Sequence, residues 1–133
     1  MKARSDLRVS DLMTTQLITV KASEPLKEAR ADMEIGVIRH LPVVDDRGKL
    51  VGVVSDRDLI GAKRAGRVAD VMTRDVITTK PEVPAFEAAS MMLDNKISSV
   101  LVVNDENMLV GMITQTDYVE VARRALLGIP LER

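Results

Sequence analysis

Cysteine is absent from this chain of 133 residues, and with it go disulfides, thiolate metal sites and thiol nucleophiles. Tryptophan is absent as well, and Phe86 and Tyr118 are the only aromatic residues, so the platforms on which single-strand binders stack their bases are missing. An excess of charge of either sign is also missing. The 19 basic residues face 20 acidic ones, which leaves no global field to draw the chain to nucleic acid or anionic lipid. No apolar run approaches the length of a membrane span, and the Met1-Lys2-Ala3-Arg4 start leads into polar residues rather than a signal-peptide core. The expectation is a soluble cytoplasmic protein with neither nucleic acid nor membrane as partner. A single histidine, no phosphate-loop signature and no glycine-rich dinucleotide fingerprint leave no metal site or triad to place, and catalysis is not expected.

What is present is a repeat. Leu50-Val51-Gly52-Val53-Val54-Ser55-Asp56-Arg57-Asp58 returns as Leu109-Val110-Gly111-Met112-Ile113-Thr114-Gln115-Thr116-Asp117, with glycine, hydroxyl and second aspartate in the same register. The shift that carries Asp11 to Asp70 aligns residues 9–61 on 68–120 without a gap. It brings Asp11-Leu12-Met13-Thr14 onto Asp70-Val71-Met72-Thr73, Pro25 onto Pro84, Met33 onto Met92, and Val43-Val44 onto Val102-Val103. Two copies are too few for a solenoid, so the simpler account is two half-domains closing on each other about a pseudo-twofold axis. A chain of this length buries about two thirds of its unfolded surface and needs no staples.

Within the first copy, residues 17–20 read as a short strand, and Ser23 reads as the N-cap of a helix with Pro25 in its first turn. Leu26, Ala29, Met33 and Val37 follow on one helical face. Residues 40–44 and 50–54 read as strands joined by a turn at Asp45-Asp46-Arg47-Gly48, and a second helix runs from Asp56 to about Lys63, ended near Gly66. The second copy repeats this with strands 76–79, 100–103 and 109–113, a helix over 84–93 and a last helix from Gln115 that ends at Gly128. Each copy is thus strand, helix, strand, strand, helix, in a mixed α/β (α+β) class. Its fully apolar strands need cover on both faces. The apolar residues Ala125, Leu126 and Ile129 of the last helix are either cover for the partner repeat or part of a subunit contact.

A glycine inside a β-branched run marks a bulge or a place where something comes close to the backbone, and a ligand is one candidate for that neighbour. The Ser55/Asp58 and Thr114/Asp117 pairs have capping-box spacing. The same geometry suits ligand binding, because a carboxylate beside a helix start can accept hydrogen bonds from both hydroxyls of a ribose. The two readings can coexist. The eight methionines read as flexible core filling, and the lone His40 as a packed or polar-contact side chain.

The tandem arrangement, the Asp-Leu-Met-Thr and Asp-Val-Met-Thr openers, His40-Leu41-Pro42-Val43-Val44-Asp45 and the doubled Gly-apolar-apolar-Ser/Thr-x-x-Asp together resemble a pair of CBS domains, the module called a Bateman domain. The resemblance covers residues 8 to about 125. It implies one module, with repeats over 8–66 and 67–125 and a helix end and tail over 126–133. In such a module the sheets of the two repeats lie against each other and leave two symmetry-related clefts that in many members take adenosine-containing ligands.

Carried onto this sequence, the resemblance gives Asp58 and Asp117 the ribose hydroxyls, and Ser55 and Thr114 the places beside ribose or phosphate. It makes each cleft a shared one. The first would join Ser55, Arg57, Asp58, Arg39 and His40 to Ile77, Thr78, Ile97 and Ser98. The second would join Thr114, Asp117 and Val100 to Ile18, Thr19, Ile38 and Arg39. The apolar members would sandwich adenine. Arg39, His40 and Arg57 stand where the second copy has Ser98, Ser99 and Thr116, so the first cleft is the better equipped for phosphate. Leu101 replaces Pro42, a departure from the family's usual strand.

The function expected is a regulatory module sensing AMP, ADP, ATP, NAD or S-adenosylmethionine, with the nucleotide as regulatory ligand and no cofactor required. It would act as a homodimer or on an effector protein that the sequence does not identify. The alternative is a structural or interaction dimer whose clefts stay empty.

Overall fold

The computed structural model describes residues 6–36, 38–60 and 66–130. In chain order the elements are α1 (Val9–Leu12), β1 (Val20–Lys21), α2 (Leu26–Gly36), β2 (His40–Val44), β3 (Leu50–Ser55), α3 (Asp56–Ile60), α4 (Val68–Val71), β4 (Thr78–Thr79), α5 (Ala85–Asn95), β5 (Ser99–Val103), β6 (Leu109–Thr114) and α6 (Gln115–Leu126). They make two three-stranded sheets, in the orders β1-β2-β3 and β4-β5-β6. The class is mixed α+β, as the strand and helix periods indicate. The expected helix-face residue Val37 and the expected end of the second helix beyond Ile60 lie outside the described residues.

The chain divides into two compact units that cut across the sequence repeats. One comprises Leu17–Val76 with Glu106–Leu109; the other comprises the residues up to Gln16, Ile77–Asp105 and those from Val110 onward. The opener of each repeat therefore belongs to the unit built mainly from the other.

In the Leu17–Val76 unit, β1 runs parallel to β2 and β2 antiparallel to β3. The connection between the parallel pair is α2, which turns Leu26, Ala29 and Met33 inward at the expected helical spacing. These meet Val20, Leu41, Val43, Val54, Leu59 and Val68 in one core, so a residue of the second repeat's opener, Val68, is fully buried among residues of the first. Four consecutive residues of β2 are buried, which is the two-sided cover that its unbroken apolar sequence demands. The tip of the second hairpin belongs here too: the Leu50 N–H donates to the Asn107 carbonyl at 3.0 Å and the Leu109 N–H to that of Gly48 at 3.3 Å. The left-handed φ of +87° at Gly48 and +62° at Asn107 suits these turns.

The second unit mirrors the first with β4 parallel to β5. Its core joins Val9 from the first opener to Ala88, Met92, Val100, Val102 and Ile113. A smaller cluster of Leu7 and Ala85, flanked by Leu12, Tyr118 and Val121, sits beside it.

The openers carry helices that the sequence reading did not assign, and three local expectations are corrected. The openers are one-turn helices, α1 and α4, each closed by an aspartate: the Arg8 N–H donates to Asp11 Oδ2 and the Arg67 N–H to Asp70 Oδ2, both at 2.8 Å. Ser23 does not cap α2. It lies in a turn before the helix, because Pro25 disfavours helical geometry at the residue preceding it and the helix starts at Leu26. The helix expected over 84–93 starts one residue later and continues to Asn95.

The third correction is to the first strands of the repeats, which are two-residue segments set one position apart. Ala22 donates its N–H to the Val44 carbonyl at 3.2 Å, but the equivalent residue in the second repeat is Pro81, which has no N–H. At the other end Leu101 pairs with Thr78, whereas its counterpart Pro42 cannot donate and is paired on β3 with Val53. Two prolines at opposite ends of equivalent ladders thus slide one ladder past the other.

Candidate functional site

The glycines of the doubled motif serve the openers. A β-carbon on Gly52 would stand 2.7 Å from the Thr73 carbonyl oxygen and 2.9 Å from Met72 Sδ; on Gly111 it would stand 3.0 Å from the Thr14 oxygen and 2.7 Å from Met13 Sδ. The neighbour that requires glycine is thus the Met-Thr segment itself, bonded edge-on by the Val53–Thr73 and Thr14–Met112 bridges, and not a ligand. A β-bulge adjoins Gly52, where the register shifts between Val43 and Val44.

The strand then enters its helix through the expected capping box. In the first copy the Ser55 N–H donates to Asp58 Oδ2 at 2.7 Å and the Asp58 N–H to Ser55 Oγ at 3.2 Å. In the second the corresponding distances, from Thr114 N–H and Asp117 N–H, are 2.8 and 3.4 Å, and the Thr114 hydroxyl also donates to Asp117 Oδ2 at 3.2 Å. All of these bonds to carboxylate end on Oδ2. A carboxylate offers about four lone-pair sites, so capping occupies one edge of each aspartate and leaves Oδ1 uninvolved among the described bonds. Both aspartates are half-buried.

Around the Ser55/Asp58 turn the first unit assembles most of its expected residues. The Arg39 carbonyl accepts from the Asp56 N–H at 2.9 Å, and His40 lies opposite Ser55 in the ladder. Arg39, His40 and Arg57 have exposed side chains, which gives this turn an open cationic surface. Ile18 and Ile38 lie side by side over Gly36: a β-carbon there would stand 2.9 Å from Ile18 Cδ1 and 3.4 Å from Ile38 Cδ1. Gly36 is a residue that sequence reasoning passed over, although a glycine two positions before an isoleucine at a helix end was a usable signal. Thr19 is exposed and precedes β1.

The second unit repeats the arrangement without the charge. The Ser98 carbonyl accepts from the Gln115 N–H at 3.0 Å, in the place that Arg39 holds in the first. Ile97 lies on the core with its N–H bonded to the Met92 carbonyl at 3.0 Å. Thr78 sits in the ladder beside Leu101, and Ile77 before it is partly exposed. Val100 is fully buried in this unit's core, so its side chain is spent on the core and only its backbone remains for a ligand.

Tyr118, also passed over, belongs to the support of this turn. It follows Asp117, and its hydroxyl donates to the Ala85 carbonyl at 2.6 Å. Burial, with the neighbouring Asp117 charge adding to it, pushes the phenol up from 10.0 to about 12. Among the described residues no three histidine or acidic side chains are placed to hold a metal ion. Among them, too, no helix is long and apolar enough to cross a membrane.

The sequence profile of the CBS domain matches this chain twice, over residues 9–65 and 68–124. The inosine-5'-monophosphate dehydrogenase of Methanocaldococcus jannaschii is 36% identical over 114 residues, which are 85% of this chain but only 23% of that protein. The chain thus spans about a quarter of the length of that curated relative. Two solved structures align over 90% of this chain and 98% of their own. One, CBSX2 in complex with AMP, has a TM-score of 0.81 at 28% identity. The other, the CBS domain pair of protein MJ0100 in complex with 5'-methylthioadenosine and S-adenosyl-L-methionine, has a TM-score of 0.77 at 31% identity.

Proposed function

The chain belongs to the CBS domain family, as a tandem pair, and from that premise we propose that it is a regulatory module that binds an adenosine-containing ligand and changes conformation or association on doing so. The observation that carries this reading is the one-sided use of the two motif aspartates. Each closes its capping box through Oδ2 alone, so a ribose can be received on the remaining edge without breaking the cap. The AMP and S-adenosylmethionine complexes of the related pairs support the choice of ligand class.

In this reading Ser55, Arg57, Asp58, Arg39 and His40 receive the ligand in the one unit, and Thr114, Asp117 and the backbone of Val100 receive it in the other. AMP, ADP, ATP, NAD and S-adenosylmethionine share the part that the aspartates would hold. The module works as a homodimer or on an effector chain and catalyses nothing itself; the enzyme relative quoted above aligns through less than a quarter of its length.

Isothermal titration of the purified chain with AMP, ATP and S-adenosylmethionine tests the reading, with mass spectrometry of co-purified ligand beside it. Saturable binding of at least one, lost in an Asp58→Ala and Asp117→Ala double variant, is the expected result. A second reading, a structural dimer with empty clefts, draws on the capping boxes themselves, which give both aspartates a structural role. It prevails if none of the three compounds binds and none co-purifies.

A further inference from the structure

The capping bonds of Ser55 with Asp58, and of Thr114 with Asp117, lie within a single turn, so they shape that turn without fixing how it faces the rest of its unit. Its direction has to come from bonds made outside it. One such bond lies two positions before each aspartate: the Asp56 N–H donates to the Arg39 carbonyl at 2.9 Å, and the Gln115 N–H to that of Ser98 at 3.0 Å. Another lies one position after it. In the first repeat Arg30 Nη2, on α2, donates to the Leu59 carbonyl on α3 at 3.0 Å. In the second the Tyr118 hydroxyl, on α6, donates to the Ala85 carbonyl at the start of α5 at 2.6 Å.

These two ties join equivalent helices from opposite sides. Leu59 and Tyr118 are equivalent positions in the repeats, and so are Arg30 and Ala89. The first repeat thus carries a long donor on its first helix and an apolar residue on its second, while the second repeat carries alanine and a phenol, whose oxygen lies beside the Ala89 backbone. Arg30 is half-buried, although Lys27, Glu28 and Glu34 on the same helix are exposed. A side chain that only filled the space between two helices would need no donor. Both repeats keep one, by different chemistry, next to the aspartate.

We propose that Arg30 and Tyr118 are positioning residues that set the direction of Asp58 and Asp117, and so the affinity of each turn for its ligand. This rests on the ligand-binding role proposed above for the two aspartates. Arg30 and Leu59 belong to one unit, and Tyr118 and Ala85 to the other. Removing a tie is therefore felt at its own turn alone.

AMP titration in backgrounds that silence one turn at a time tests this. Loss of one such hydrogen bond corresponds to about three- to tenfold in an equilibrium constant. With Asp117→Ala in place, Arg30→Met is expected to weaken AMP binding by that factor, and Arg30→Lys, which can still donate, by much less. With Asp58→Ala in place, Arg30→Met is expected to change nothing, and Tyr118→Phe takes the converse pattern. Amide hydrogen exchange of the unliganded chain is the second readout: Arg30→Met should speed exchange at the Asp58 N–H and not at that of Asp117, and Tyr118→Phe the reverse. Equal weakening in both backgrounds overturns the proposal, as does a lower melting temperature with AMP affinity and local exchange unmoved. A wild-type chain that binds no AMP, but whose exchange responds turn by turn, overturns the ligand reading and leaves the positioning ties in place. Should Arg30→Met fail to fold, the Tyr118→Phe comparison decides alone.

Discussion

Met72 Sδ lies 2.9 Å from the point where a β-carbon on Gly52 would stand, and Met13 Sδ lies 2.7 Å from the same point on Gly111. Each opener is clamped across the glycine of a strand that continues into the capped turn bearing Asp58 or Asp117. The turn is thus held from two directions, by its own box and by a methionine on its strand.

Replacing either glycine by alanine should therefore cost stability. The atoms a new methyl meets include the backbone oxygens of Thr73 and Thr14, which cannot swing aside as a side-chain tip would. Overpacking of this kind costs about 1–3 kcal/mol. A melting temperature several degrees lower in Gly52→Ala is the expected result, and an unchanged one would mean that the opener is loosely held.

Asp58→Ala separates capping from ligand binding. Loss of an N-terminal cap costs about 1 kcal/mol, and loss of a carboxylate that accepts two ribose hydroxyls should weaken nucleotide binding by more than this. Titration calorimetry on folded variant protein is the measurement. A melting temperature several degrees lower with affinity intact would mean that the box is the whole role of Asp58.

Arg57→Thr gives the first copy the residue the second has at Thr116. Charge-assisted contacts to a phosphate contribute about 1.5–3 kcal/mol. AMP affinity should accordingly fall about tenfold or more while adenosine affinity stays nearly constant. Equal wild-type affinities for AMP and adenosine would rule out a phosphate contact at Arg57.

Tyr118 gives the chain an alkaline limit. Its folded value of about 12 lies above the ordinary 10.0, so the folded state holds this proton more tightly than the unfolded one. The resulting stability is fully present below about pH 10 and is lost as pH rises through about 12. With one tyrosine and no tryptophan in the chain, ultraviolet absorbance follows this single phenol. Ionisation complete by pH 10.5 in folded protein would contradict its burial, and Tyr118→Phe should remove the tyrosine-linked part of the stability decline between pH 10 and 12.

How much of this was legible beforehand depended on the range over which a residue acts. Ser55 with Asp58, and Thr114 with Asp117, act across three positions, and the sequence spacing alone stated their hydrogen bonds. The face of α2 through Leu26, Ala29 and Met33 was equally plain, because eleven residues give a period room to show. Val9–Leu12 and Val68–Val71 span a single turn each, too short for any period, and their cores are supplied by residues far along the chain. The neighbour of Gly52 was for that reason open between a ligand and another strand. Val100 was placed beside a ligand by analogy of position, while its place at the head of the apolar run Val100-Leu101-Val102-Val103 already favoured the interior.

The exchange of openers bears on how such a chain arises and how it can be taken apart. A gene encoding one repeat alone would make a product whose opener, used as here, reaches no strand of the same repeat, and two such products could satisfy each other by trading it. Fusion would then record an older swapped pair within one polypeptide. The same logic makes the present chain a natural split reporter. Severed between its repeats, it yields fragments that each lack the piece completing their interior, and that should be recovered folded only when both are made in the same cell.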